Sequence, residues 1–331
     1  MPFSPNVIFP MSMGKVGVVL FFAISGFVIA LNRQQPVLEF IRRRVLRIYP
    51  IYWLSMLLAA VMFSAIGRSV HVIPAEILLY PHSRGGGSLW IPYWSLVYEV
   101  VFYVLAAVAF AVGLSDRVLT VIAIAWIAVV NLVGHTPSDP TEYNFPAGRI
   151  LVTSAVQVFP MGLLCGIHFE RLRRYGRVPI IVLTVFFAAL SYNLEWFTTQ
   201  KLFATGAACT LIVLACADIE VFRFVRTMGD ASYGMYLAHF PILLVAASVI
   251  PGAGYPALLL IGVVGGTLFG LADRRIYRWL IVNTSMAGVI RFSAWRQARR
   301  GHGQGALLPL DVAAEASDRV AATRAGQDKE F

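Results

Sequence analysis

The chain is poor in charge, poor in cysteine and empty of strand patterning. Charged residues fill 13% of its 331 positions, against about 25% in soluble domains. Hydrophobic residues fill 58%, more apolar surface than a soluble domain of this length can hide. The apolar–polar alternation of membrane strands is missing, which argues against an outer-membrane barrel. The three cysteines, Cys165, Cys209 and Cys216, fall in or near apolar runs with no metal-ligand spacing. No disulfide framework and no metal site are expected. Residues 1–13 hold no lysine or arginine and no small-residue cleavage site follows the first apolar run, so a cleaved signal peptide is not expected.

Apolar runs of about 20 residues recur along most of the length, which predicts an all-α, polytopic transmembrane helix bundle. About nine spans are expected, near 15–32, 46–66, 91–113, 117–134, 148–169, 178–195, 201–217, 231–250 and 255–272. The chain then divides into a short outer segment (1–14), a transmembrane domain (15–281) and a mostly disordered cytoplasmic tail (282–331). No internal repeat of the secondary-transporter kind is visible.

The net charge of +10 comes from 27 basic and 17 acidic residues. In a soluble protein such a balance suggests nucleic acid, but here the arginines sit between apolar spans, so no nucleic-acid partner is expected. Sorted by alternate loops, 22 of the basic residues fall on one side and 5 (Lys15, Arg68, Arg84, Arg149, Lys201) on the other. The positive-inside rule places the larger set, and the C-terminus, in the cytoplasm, and the N-terminus outside.

Ionisable residues inside apolar spans are costly, so each is a functional candidate. Glu99 lies in "WSLVYEVVFY" with Ser95 one turn before it, on the same helical face. The competing reading is a carboxylate paired only to fix helix packing. His239 lies in "ASYGMYLAHFPIL", where Ser232, Tyr236 and His239 form an i, i+4, i+7 polar stripe. It reads equally as a proton acceptor and as a hydrogen-bonded structural histidine near Pro241. Arg42, Arg43, Arg44 and Arg47 precede "IYPIYW" at the cytoplasmic end of the second span. Topology explains some of that charge. The choice of arginine alone fits a phosphate-bearing ligand, because guanidinium forks match phosphate geometry. Ser25-Gly26 in "FFAISGF" reads first as a close helix contact. The outer loop 71–90 carries His71, His82 and a glycine run, and reads as a mobile entrance.

Four of these segments, in order, resemble the acyltransferase 3 family of bacterial integral-membrane O-acyltransferases, which modify O-antigen, exopolysaccharide and nodulation factors. They are "GKVGVVLFFAISGFVIA", "FIRRRVLRIYPIYW", "WSLVYEVVFY" and "SYGMYLAHFPIL". "GLADRRIYRWLI" resembles the closing helix only weakly and lacks its acid–proline pair. The resemblance implies a bundle of usually ten spans in the bacterial inner membrane. It implies transfer of an acyl group, usually acetyl, from cytoplasmic acyl-CoA to a hydroxyl of a carbohydrate or lipid-linked glycan. Acyl-CoA would be a co-substrate, with no permanently bound cofactor, and membrane lipid the surroundings.

By this match Arg43, Arg44 and Arg47 hold the CoA phosphates or open the acyl path. Glu99 and His239 are catalytic, and Trp94, Ser95, Ser232 and Tyr236 contact substrate. Members usually begin with one more span, carrying R-G-x-A and an outer histidine taken as the base. That span is absent here, so an in-frame upstream span is expected; otherwise the chain is an inactive truncated homologue or finds its base elsewhere. The rival class is a proton-coupled transporter or flippase using Glu99 and His239 as a relay.

Overall fold

The computed structural model describes residues 13–81, 93–134, 149–195 and 198–301. The expected outer segment before residue 13, His82 with the glycine run, and the tail beyond residue 301 lie outside the described residues. Among the described residues eleven α-helices run in the order α1 Met13–Leu31, α2 Val37–Ala65, α3 Pro74–Ile77, α4 Tyr93–Ala111, α5 Asp116–Val133, α6 Val158–Ile167, α7 Phe169–Leu172, α8 Arg177–Asn193, α9 Thr199–Cys216, α10 Arg223–Val249 and α11 Tyr255–Gly301. No strand occurs among the described residues, so the all-α bundle is what the chain forms.

Among the described residues six helices are long and apolar enough to cross a membrane: α2, α4, α5, α9, α10 and the Tyr255–Thr284 part of α11. Phe169–Tyr175 and Arg177–Asn193 together would make a seventh, bent by 96°. The bend falls at Gly176, whose φ of +78° suits a residue without Cβ. Val16–Leu31 and Ser154–Ile167 are apolar but shorter. Each of the nine expected spans therefore has an apolar helix, but the boundaries differ.

The span expected over 148–169 opens instead with 3-10 turns, Ile150–Val152 and Ser154–Gln157, before α6. Hydroxyl and amide side chains compete there for backbone groups. Thr153 Oγ1 donates to the Arg149 carbonyl at 3.2 Å, and Gln157 Nε2 donates to the carbonyls of Ser154 (2.9 Å) and Thr199 (3.1 Å). The second, eighth and ninth spans extend past their expected cytoplasmic ends. α2 starts at Val37, α10 at Arg223, and α11 runs on to Gly301. The reason is simple: apolarity marks where a membrane segment lies, whereas the helix continues through the charged residues that flank it. Arg42–Arg44 are thus helical, and so are residues 282–301 of the expected tail. The chain packs as two units, Met1–Arg278 and Trp279–Phe331. The described part of the second is helix, with Thr284 Oγ1 donating to the Leu280 carbonyl at 2.6 Å.

Glycine sets the closest approaches. Gly26 of α1 lies on the backbone of α6: a Cβ there would stand 2.1 Å from the Phe159 carbonyl oxygen. Gly162 of α6 returns the contact, 2.1 Å from the Ala23 carbonyl oxygen. This is the small-residue packing expected of "FFAISGF". Around it Phe102 stacks on Phe159 at 4.0 Å, and Phe22 sets its edge against Phe102 at 5.7 Å and Tyr98 at 5.8 Å. Ring packing of this kind locks α1, α4 and α6 together.

On the other side Tyr52, 1% exposed, donates to the Glu76 carbonyl at 2.7 Å and ties α2 to α3. Tyr52→Phe leaves that buried carbonyl short of a donor. A loss of about 1–2 kcal/mol is expected, read as a lower thermal midpoint in detergent with the specific activity of the folded fraction unchanged.

Candidate active site

Four helices converge on one polar column, and glycine again explains how. Where α10 meets α11, a Cβ on Gly270 would stand 2.3 Å from the Ala231 carbonyl oxygen, and one on Gly234 would stand 2.9 Å from Asp273 Cβ. The bare backbone of α10 lets Asp273 sink to 1% exposure within an apolar helix. There it faces α2.

The arginines of α2 answer from the same level. Arg47 Nη1 lies 3.4 Å from Asp273 Oδ2, and its Nη2 donates to the Asp230 carbonyl at 3.2 Å. Its guanidinium also lies over the rings of Tyr233 and Tyr277, each at 5.1 Å. Arg44 lies over Tyr103 at 4.9 Å and over Phe40 at 5.4 Å. Aromatic faces accommodate a planar guanidinium in a dry setting, which lysine would not exploit equally well. Arg43 points to the same side and pairs with Glu39 at 2.6 Å.

These arginines open onto a cavity of about 580 Å³. Arg43, Arg44 and Arg47 line it from α2, and Asp230, Arg274, Tyr277 and Arg278 line it from α10 and α11. Five guanidiniums thus face one carboxylate at its wall. Asp230 Oδ2 holds both Arg274 (3.1 Å) and Arg278 (3.6 Å). A second, smaller hollow of about 460 Å³ lies between Asp116, Arg117, Thr120, His168 and Arg171.

From the cavity a hydrogen-bonded chain runs inward. Arg44 Nη1 donates to the Tyr103 hydroxyl at 3.4 Å, and that hydroxyl donates to Glu99 Oε1 at 2.5 Å. Glu99 is 5% exposed, and its Oε2 takes no hydrogen bond among the described residues. A carboxylate oxygen in that condition is costly to keep. One turn further along α4, Ser95 Oγ and the Tyr236 hydroxyl share a hydrogen bond of 2.8 Å. Tyr236 in turn stacks on Phe21 at 6.3 Å. His239 Nδ1 lies 2.8 Å from the Tyr236 carbonyl and 3.2 Å from that of Met235. Carbonyls only accept, so Nδ1 carries the hydrogen there.

The sequence candidates are thus partly gathered. Arg43, Arg44 and Arg47 share the cavity; Glu99 joins them through Tyr103; Ser95, Tyr236 and His239 follow on the inner side. Trp94 sets its ring edge against Tyr98 at 6.4 Å. Ser232 is exposed, and its hydroxyl donates to the Gly229 carbonyl at 2.7 Å. Asp230, Asp273, Arg274 and Arg278 escaped sequence reading. Asp230 and Asp273 each fall one residue outside an expected span, at 231 and 272. The rule that flags ionisable residues in apolar helices would have flagged both had the helices been drawn at full length.

Several apolar helices enclosing a buried carboxylate make this a multi-pass membrane protein. The chain belongs to the family described as "Acyltransferase domain", whose family model matches residues 1–272. It is an acyltransferase, moving groups other than aminoacyl. The exopolysaccharide production protein ExoZ of Rhizobium meliloti is similar, 29% identical over 291 residues, covering 79% of this chain and 87% of that one. Acyltransferase MdmB of Streptomyces mycarofaciens is 26% identical, covering 70% and 69%. An O-acetyl transferase of Shigella phage Sf6 is 24% identical, covering 75% and 79%. No solved structure matches.

Proposed function

We propose that the protein is a membrane-embedded O-acyltransferase that moves an acyl group, acetyl by preference, from cytoplasmic acyl-CoA to a hydroxyl of a glycan or lipid-linked carbohydrate. The observation that carries this reading is the continuous polar chain from a cavity of five arginines, through Tyr103, to a buried carboxylate with one oxygen unpartnered among the described residues. The names of the relatives, an exopolysaccharide production protein and an O-acetyl transferase, support a carbohydrate acceptor. The uneven distribution of basic residues supports a bacterial inner-membrane location with the cavity and the C-terminus on the cytoplasmic side.

In this reading the phosphates of the donor enter the arginine cavity, and the acyl thioester passes inward between α2, α4 and α10. The acceptor hydroxyl attacks the thioester carbonyl, its proton passes to His239 Nε2, and the carbon–sulfur bond breaks to release CoA thiolate. The Ser95–Tyr236 hydroxyl pair, joined by one hydrogen bond of 2.8 Å, can offer the developing oxyanion one hydrogen in this reading. Glu99 supplies the buried carboxyl group of the site. Arg44 and Tyr103 orient it and tie its position to an occupied cavity.

The test is acyl transfer from radiolabelled acetyl-CoA to glycan or lipid fractions in membranes carrying the protein. Arg44→Ala with Arg47→Ala is expected to raise the KM for acetyl-CoA by at least tenfold, since each charge-assisted phosphate contact contributes about 1.5–3 kcal/mol. Transfer that survives both substitutions with an unchanged KM sinks the assignment of the cavity.

A further inference from the structure

The second hollow, of about 460 Å³, has no part in the proposed reaction. It lies where the start of α5 meets the junction of α6 and α7. Arg117, Thr120 and Val121 line it from α5, and Ile167, His168 and Arg171 from the junction. It shares one end of the bundle with the arginine cavity. Asn32 and Gln35 line that cavity, and Arg33 between them reaches Asp116 at the wall of the hollow.

The charges here suit an anion. Arg33 holds both oxygens of Asp116, through Nε at 2.8 Å and Nη2 at 3.0 Å, so the carboxylate on the wall is offset. Glu170, next to Arg171 in the chain, is taken by Arg173 at 2.9 Å. Arg117 and Arg171 form no ion pair among the described residues. Two guanidiniums from separate elements therefore line the hollow with their charge uncompensated. A polar tie keeps those elements together. The Thr120 hydroxyl donates to the Asp116 carbonyl at 2.7 Å, so His168 Nε2, 3.0 Å away, donates to Thr120. The imidazole thus fastens the α6–α7 junction to α5.

Sorting of basic residues to one side of the membrane does not require Arg117 and Arg171 to converge on one hollow. The lining has no aromatic ring besides the His168 imidazole, so a nucleobase finds no stacking platform. What the hollow does have is an apolar exit. Val121 lines it and is 67% exposed, and Ala125, Ala128 and Leu132 continue that face of α5 at i+4, i+7 and i+11. All three are exposed, Leu132 to 83%. On a membrane-spanning helix such a face meets lipid chains.

We propose that this hollow seats the phosphodiester of an anionic phospholipid between Arg117 and Arg171, with the acyl chains lying along the Val121–Leu132 face of α5. A guanidinium fork matches a pair of phosphate oxygens. A basic pocket between helices at the membrane surface favours an anionic headgroup. The cationic choline of a zwitterionic lipid would meet two guanidiniums and be disfavoured. The seat is separate from the arginine cavity and does not depend on the acyl-CoA reading.

The experiment is native mass spectrometry of the full chain released from detergent, titrated with phosphatidylglycerol or phosphatidylcholine and read as the Kd of the first bound lipid. The wild type is expected to bind phosphatidylglycerol at least about tenfold more tightly. Arg117→Gln with Arg171→Gln is expected to weaken phosphatidylglycerol by at least about tenfold and leave phosphatidylcholine unchanged. Arg174→Gln with Arg177→Gln removes the same charge from residues outside the lining, and is expected to leave both lipids unchanged. Both hollow-lining arginines are exposed, and Arg171→Gln alone, with an expected loss of about fivefold, carries the test if the pair disturbs folding. Equal affinity of the wild type for the two lipids overturns the proposal. Equal losses in the two double variants overturn it too, because they assign the preference to overall charge. Full displacement of the lipid by millimolar inorganic phosphate replaces the lipid seat with a site for free phosphate.

Discussion

Glu99→Gln is expected to abolish acyl transfer, with kcat falling by at least 10²-fold and toward 10⁴-fold, the range for removing a group that handles charge in the transition state. Glutamine has nearly the same shape and still offers an oxygen to the Tyr103 hydroxyl, which lies 2.5 Å from Glu99 Oε1. Packing around α4 is therefore preserved and the thermal midpoint should hold. The two readings of Glu99 separate on this pair of measurements. A carboxylate present only to fix helix packing predicts a lower midpoint with residual activity in the folded fraction. A carboxylate at the reacting centre predicts an inert but stable protein. Tyr103→Phe should fall between, since it leaves the charge in place but cuts its link to Arg44.

The second large effect concerns folding. Gly162→Val is expected to prevent assembly of the bundle, because its Cβ would stand 2.1 Å from the Ala23 carbonyl oxygen of α1. The neighbour is backbone and cannot turn aside as a side chain could. Gly26→Val is expected to do the same from the opposite helix, 2.1 Å from the Phe159 carbonyl oxygen. The cost exceeds the ordinary range of about 0.5–3 kcal/mol for a point substitution, and the readout is loss of the monodisperse peak in detergent. Gly17→Ala is the control. It lies on the same helix, and an added Cβ there would meet nothing within 4 Å, so it should be neutral or slightly stabilising. Equal behaviour of Gly17 and Gly162 variants would refute close backbone packing of α1 on α6.

How much of this was legible beforehand depends on the length scale of the signal. The bundle itself follows from hydropathy, which integrates over some twenty residues and tolerates local error. Glu99 stood out because a lone carboxylate in an apolar run has no inexpensive explanation. The arginine run of α2 stood out because so short a stretch holds Arg42, Arg43, Arg44 and Arg47. The partners of these residues did not stand out. Asp273 looks like an interfacial acid in "LADRR" until the helix is seen to continue past it, with Gly234 making room opposite. Asp230 looks like a loop residue until α10 is seen to begin at Arg223. Tyr103 could be placed on the Ser95–Glu99 side of its helix, but nothing in the sequence showed that Arg44 of α2 meets it. The stripe of Ser232, Tyr236 and His239 had the right helical period, yet Ser232 turns outward. A straight-helix projection says which residues share a face, not which neighbour that face meets.

The distance between the arginine cavity and Glu99 has a kinetic consequence. Every contact assigned to the cavity is made to the part of the donor that the reaction leaves unchanged. In the proposed acyl-CoA reading, spent CoA carries the same phosphates as the acyl thioester, so the grip lowers donor and product alike and contributes nothing selective to the chemical step. An enzyme built this way is slowed by its own leaving group unless something competes for the guanidiniums. In that reading Asp230, paired with Arg274 and Arg278, is a tethered counter-ion that competes with the donor's phosphates for them. Turnover would then be paced by the exchange of one anion for another at the cavity mouth.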